Sequence, residues 1–319
     1  MWIVFQKKKM DEKGLRLFQA IEQEIDVGQI LAEKSSVEIL DWADEFGRTC
    51  LHICAATNQS ETLDKLLIAG ASKEKAALDG TTPLYIACQY GHLEALAVLL
   101  RHGADPSNTS VSPFGWSPLH ICAANGRAEA AEMLIRSGSD VCAADSGELG
   151  QTALHVAASN GHGTLCSILC SAGAAIDATD KLGATPIHEA CRGGHRDTVE
   201  TLLCLGADPN HEVTSNGDTA LSLSVGHPHL VELLLLSGAS PSSSLLSLVR
   251  DDSVLMMFVL FGRRDLILPT GWNHLNCLSK TAELMAKRTD RYVFETVALG
   301  CPMSLLKNSS FCWWESSSS

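Results

Sequence analysis

Between Leu84 and Leu100 the apolar positions fall into two groups of different texture. Leu84, Ile86, Ala87 and Cys88 form a short stretch with a small-residue face, whereas Leu93, Leu96, Leu99 and Leu100 recur at helical spacing and define one apolar stripe. Turn-forming residues bracket both. Gly80-Thr81-Thr82-Pro83 opens the first stretch. Proline is tolerated there because the N–H it lacks has no intrahelical partner at a helix start. Gly91 ends the first stretch, His92 begins the second, and Gly103 stops it with the left-handed cap that glycine adopts freely. The pattern predicts a pair of short helices followed by a hairpin-like loop through Ala104-Asp105-Pro106.

The same frame opens at Gly47, Gly80, Gly115, Gly150, Gly183 and Gly217, with intervals of 33, 35, 35, 33 and 34 residues. A fixed period of this size marks a stacked repeat. So short a helix pair cannot bury its own apolar face and needs a copy on each side, so the chain is expected to fold as an all-α stack in which each copy is the next one's core. The copy at Gly217 departs from the frame. Only 21 residues separate Gly217 from Gly238, against 23 from Gly80 to Gly103, and Ser222 stands where other copies carry His. Its first helix is expected to be shortened.

Bulk composition narrows the function more than the fold. With 45% hydrophobic residues in 319 the chain has ample material for a core. Its formal charge of −13 argues against nucleic acid as a partner, since phosphate contacts need clustered Lys and Arg. Most of the twelve cysteines sit inside the repeat frame, where alanine would serve as well, which points to a reducing compartment rather than a disulfide framework. No apolar run approaches the roughly 18 residues of a membrane span, and the opening MWIVFQKKK reverses the order of a secretory signal. These features indicate a cytoplasmic protein, with the nucleus admissible. Met10 opens a sensible acidic helix and is an alternative translation start to Met1.

The quoted repeats resemble ankyrin repeats: "SPLHICAANG", "TALHVAASNGH" and "TPIHEACRGGH", closing in "LLRHGADP" and "LLCLGADPN". The resemblance implies an ankyrin-repeat solenoid of stacked helix-turn-helix units with hairpin-like loops. Six copies cover 47–240, and residues 14–46 resemble a degenerate first copy, giving about seven over 14–240 with the first and last atypical. Residues 1–13 are expected to be unstructured, 241–306 to form degenerate helical repeats, and 307–319 a disordered tail. The succession "GWNHLNCLSKTAELMAKRTDRYVFETVALGCP" resembles the last repeats of the ankyrin repeat and SOCS box family. In that family the array captures a substrate, and the SOCS box binds elongins and a cullin. The expected function is therefore a protein-interaction module, the substrate-recognition part of a cullin-type ubiquitin ligase adaptor. An ankyrin scaffold or inhibitor unrelated to ubiquitination is the alternative. No SOCS-type helix is recognisable here; the ending "SLLKNSSFCWWESSSS" suggests a truncated product, so elongin and cullin would be partners only of a longer form.

Twelve histidines and twelve cysteines raise the question of zinc. His52, His120, His155 and His188 share one repeat position near a helix start, where the ring can bond neighbouring backbone, and Tyr85 takes that position in the copy at Gly80. Repetition at a structural position explains them without metal, and no CxxC pair of the zinc type occurs. No cysteine is singled out as a nucleophile beside a base, and no phosphate loop follows a strand. We therefore expect no catalytic site, no metal and no cofactor.

What remains is a binding surface. The resemblance places it on the hairpin tips and the exposed face of each first helix. Its candidate residues are Phe46, Arg48, Asp79, Gln89, Tyr90, Phe114, Trp116, Asn125, Leu149, Asn160, Lys181 and Arg192, with Glu45, Leu78, Glu148 and Leu182 beside them. Aromatic residues and arginine dominate interface hot spots, which favours Trp116, Phe114, Tyr90, Phe46 and Arg192. Trp116 has a second reading, as closure of the two-residue insertion in its copy.

Overall fold

The computed structural model describes residues 12, 14–23, 37–108 and 115–240. Phe114, the expected degenerate repeats over 241–306 and the segments expected to be unstructured at 1–13 (apart from Glu12) and 307–319 lie outside the described residues. The chain divides into two compact units, Met1–Asp218 and Thr219–Ser319.

In the first unit, helix α1 covers residues 14–22 and α2 covers Val37–Leu40. Five helix pairs follow. The inner helices are α3 (Cys50–Thr57), α5 (Pro83–Tyr90), α7 (Pro118–Asn125), α9 (Ala153–Ser159) and α11 (Pro186–Arg192). The outer helices are α4 (Ser60–Ile68), α6 (Leu93–Arg101), α8 (Ala128–Arg136), α10 (Gly163–Ser171) and α12 (Arg196–Cys204). Inner helices pack on inner helices and outer on outer through all five pairs, so neighbouring copies form one core.

The inner helices have so little side-chain volume on their packed faces that they approach closely. Cys54, Ala87, Cys122, Ala157 and Ala190 occupy one repeat position and are fully buried. Cysteine there behaves as a small hydrophobe, and burial pushes the Cys50 and Cys166 thiols up to about 12. Bulkier residues, among them Leu63, Leu66, Leu96, Leu99, Leu134, Leu169 and Leu202, fill the outer layer.

Two histidine series connect the copies. In the first, His52, His120, His155 and His188 are buried at the third position of their helices. Each Nδ1 accepts the backbone N–H of the preceding cap residue, Thr49, Ser117, Thr152 or Thr185, at 3.0–3.3 Å. Each Nε2 donates to a carbonyl further along the chain, on Thr81, Gln151, Ala184 or His211, at 3.0–3.1 Å. A backbone N–H on one side and a carbonyl on the other fix the neutral Nε2–H tautomer. The rings expected to bond neighbouring backbone do so; His52, His120 and His155 also bolt their copies to the next, while His188 bonds the loop before Gly217.

The second series runs the opposite way. His92, His162 and His195 cap outer helices and donate from Nε2 to carbonyls at the end of the inner helix of the preceding copy, on Ala56, Ala124 and Ser159, at 3.0, 3.3 and 2.9 Å. Gln59 reaches Ile21 of α1 in the same manner, at 2.9 Å, and Arg127 reaches Gln89 at a longer 3.4 Å. The His162 and His195 rings lie on the glycines that end those helices, and Asn58 takes the glycine's place opposite His92. A Cβ at Gly126 would come within 2.7 Å of the His162 ring, and one at Gly161 within 2.7 Å of His195.

The second unit is described through residue 240. Helix α13 (Ala220–Leu223) is only four residues long, against eight in α5 and α7, so the first helix of this copy is shortened as expected. Thr219 caps it in partnership with Ser222, the residue that replaces histidine there. Helix α14 (Pro228–Leu236) buries Leu230, Val231, Leu234 and Leu235.

Candidate partner-binding surface

The hairpin tips are shaped by aspartates. Asp44 Oδ1 accepts the amides of Phe46 and Arg48 at 3.0 and 2.8 Å; Asp180 Oδ1 accepts those of Leu182 and Ala184 at 2.9 and 2.8 Å. Asp145 holds the Gly147 amide at 2.9 Å, and Asp79 holds both the amide and the hydroxyl of Thr81. A short carboxylate folded back onto amides two residues ahead produces a tight, reproducible turn. Partial burial works to raise the carboxyls of Asp44 and Asp79, but the hydrogen bonds from Arg48 and Thr81 win and hold both below the usual carboxylate range. Of these carboxylates only Asp79 was singled out from sequence, as a binding candidate, although Asp44 and Asp180 both stand three residues before their turn glycine.

Successive tips are tied together through backbone. Leu78 N–H donates to Phe46 C=O at 2.9 Å, Lys181 N–H to Leu149 C=O at 2.9 Å, Ser146 N–H to Gly115 C=O at 3.3 Å, and Ser215 N–H to Leu182 C=O at 3.2 Å. The ties leave a row of apolar side chains in solvent. Phe46 is 58% exposed, Leu78 80%, Leu149 41% and Leu182 46%. Phe46, Leu149 and Leu182 stand one residue before their turn glycines, and Leu78 two before Gly80, whereas most other large apolar side chains among the described residues are buried.

The sequence candidates separate into three groups. Phe46, Asp79, Leu149 and Lys181 lie on the exposed tips, and Tyr90 is 51% exposed at the end of α5, stacked on His92 with ring centroids 5.8 Å apart. Several polar candidates are engaged within the chain. Arg48 is paired with Asp44 at 2.7 Å and lies over the Phe46 ring; Arg192 pairs with Glu189; Lys181 Nζ donates to Gly147 C=O at 2.7 Å. Asn125 and Asn160 are exposed but donate back to Ile121 and Val156 of their own helices. Gln89 and Trp116 are half-buried, and Phe114 lies outside the described residues.

Sequence profiles of ankyrin repeats match residues 51–145 and 142–213, and a further one matches 216–244. The chain belongs to the ankyrin-repeat family. Among its relatives is chicken NF-kappa-B inhibitor alpha, 32% identical over 81 residues, a match covering 25% of this chain and 26% of that protein. Human NF-kappa-B inhibitor alpha is 31% identical over 90 residues, 28% of each chain. Human transient receptor potential cation channel subfamily A member 1 is 34% identical over 85 residues, covering 27% of this chain and 8% of the channel. The matches thus span about a quarter of the inhibitor and far less of the channel. Among solved structures, the human ASB11 ankyrin repeat domain superposes with a TM-score of 0.61 at 23% identity, over 71% of this chain and 99% of that one. That is a likeness of fold. Ankyrin repeats act in protein–protein interaction, and among the described residues no helix is long and apolar enough to cross a membrane.

Proposed function

We propose that this ankyrin array captures a protein through its hairpin tips and the exposed ends of its inner helices, as the substrate-recognition part of a cullin-type ubiquitin ligase adaptor. The observation that carries the binding reading is the solvent-exposed apolar row Phe46, Leu78, Leu149 and Leu182, held on carboxylate-braced turns. The ligase assignment rests on the resemblance of residues 271–302 to the last repeats of the ankyrin repeat and SOCS box family. Elongin and cullin contact belongs to a form that carries a SOCS box.

The similarity to NF-kappa-B inhibitor alpha favours a second reading, an ankyrin inhibitor or scaffold that masks its partner without marking it for destruction. One experiment separates the two. The full chain and a Phe46→Ala/Tyr90→Ala double variant are expressed in cells, and proteins lost from the variant's co-purification are identified. A partner lost from the variant establishes surface capture. If its ubiquitin conjugates fall when all forms of the protein are depleted, the adaptor reading holds; unchanged conjugates assign the protein as inhibitor or scaffold. An identical co-purifying set for both chains overturns the surface itself.

A further inference from the structure

We propose that the hairpin-tip edge of the first unit takes an extended peptide segment in which apolar side chains recur at every third residue and the residues between them are basic. The proposal rests on the protein-capture reading above and names the chemistry of the segment captured.

Charge is the first argument. The four tips at residues 44–48, 78–81, 145–151 and 180–184 hold six carboxylates and two basic side chains. Arg48 is paired with the Asp44 carboxylate, while Lys181 donates to the neutral Gly147 carbonyl and keeps its charge. Asp145 and Asp180 are buried and turned onto backbone amides. The exposed carboxylates Glu45, Asp79 and Glu148 therefore outnumber the one unpaired ammonium of Lys181, and each is adjacent in sequence to an exposed apolar residue: Phe46, Leu78 and Leu149. Acid beside apolar, repeated along an edge, complements a segment that is apolar and basic, and the same carboxylates repel phosphate backbones.

Spacing is the second. Packed helices stand on the order of 10 Å apart, and an extended chain rises about 3.3 Å per residue, so one repeat corresponds to about three residues of a segment running along the tips. The backbone provides the third argument. The tip groups Leu78 N–H, Phe46 C=O, Lys181 N–H and Leu149 C=O are spent on one another. Recognition therefore falls to side chains, which is what makes the three-residue register matter.

The test uses the full chain and fluorescein-labelled peptides of about 15 residues, long enough to cross five repeats at about 3.3 Å per residue. One carries Leu at every third position with Lys and Ser between; two isomers of the same composition carry Leu at every second or every fourth position; a fourth has Glu in place of Lys. The three-residue peptide is expected to bind at least about tenfold more tightly than either isomer, and the Glu peptide not at all. The triple variant Glu45→Gln/Asp79→Asn/Glu148→Gln removes three charges but keeps an acceptor for Thr81. It is expected to lose about tenfold in affinity at low salt, a few tenths of a kcal/mol per exposed charge, with the difference closing at high salt. Leu149→Ser/Leu182→Ser is the second variant, expected to abolish binding of the three-residue peptide with an unchanged melting temperature. Equal affinity for the three spacings overturns the register, and full binding by the triple variant overturns the basic partner. Capture of a cellular protein that depends on Phe46 and Tyr90, with no peptide bound, leaves the capture reading standing and sinks this one.

Discussion

The clearest division at the level of single residues is between rings that hold the stack and rings free to meet a partner. His155 is fully buried with both nitrogens on backbone, Nδ1 accepting from Thr152 and Nε2 donating to Ala184. His155→Ala leaves two buried backbone groups without those partners and a small void, which together cost about 3 kcal/mol. A urea midpoint well below wild type, with an unchanged slope, is the expected outcome. Phe46→Ala removes an exposed ring whose contact is the Arg48 guanidinium 5.1 Å above it, an interaction of about 0.5–1 kcal/mol in such settings. Its melting curve is expected to stay close to wild type while partner binding falls. A Phe46→Ala variant that melts like His155→Ala would place the ring in the core. The histidines were legible because they recur at one position of the frame. The engagement of Arg48, Lys181 and Arg192 was not, since a charged candidate and a charge already neutralised by Asp44 or Glu189 look alike until geometry pairs them.

Between elements, the informative residue is glycine, which serves two different purposes in this frame. Gly161 ends an inner helix with φ +78°, and a Cβ there would meet Nδ1 of His195 at 2.7 Å. Gly173 ends an outer helix with φ +100°, and nothing lies within 4 Å of where its Cβ would be. Alanine at Gly173 therefore carries only the backbone cost of a left-handed conformation, about 1–2 kcal/mol. Alanine at Gly161 carries that cost and also displaces the ring that donates to Ser159 C=O at 2.9 Å, another kcal/mol or more. Thermal unfolding of the two variants should rank them in that order; equal losses would show that the histidine ring moves aside freely. The glycine–histidine pairs were readable in the sequence as helix breaks and helix starts. What stayed hidden is that Gly126 and Gly161 receive the histidines of the following copies, His162 and His195, because a single-chain pattern shows order along the chain and not which copies touch. The joint between α5 and α7 is the exception that this comparison exposes. There Tyr85 replaces histidine in the first series and Arg127 in the second, with the longest bond of its set at 3.4 Å.

At the scale of the molecule the bolts act together, and pH is the variable that addresses them all at once. Burial holds His52, His120, His155 and His188 below the ordinary imidazole value, His188 down to about 4. A proton added to Nδ1 would also face the backbone N–H that this nitrogen accepts. In the unfolded chain the same rings titrate near 6.5. The folded state thus binds fewer protons than the unfolded state once the pH drops below about 6.5, and stability present above that value is lost as pH falls toward the folded values. Each ring contributes a slope of up to about 1.4 kcal/mol per pH unit in this window. The carboxylates depressed in the folded state, Asp44 and Asp79, act in the same sense but enter only nearer their own range, so the interval from pH 6.5 to about 5 reports mainly on histidine. Urea unfolding at steps across that interval should show stability declining steeply with acid, and His155→Gln, which cannot titrate, should remove up to about a quarter of the slope once its own loss of stability is subtracted. A flat profile between pH 6.5 and 5, or a His155→Gln slope equal to wild type, would mean that the buried rings do not hold the copies in the neutral form described here, and the mutual bolting of the stack would have to be assigned to the apolar layers alone.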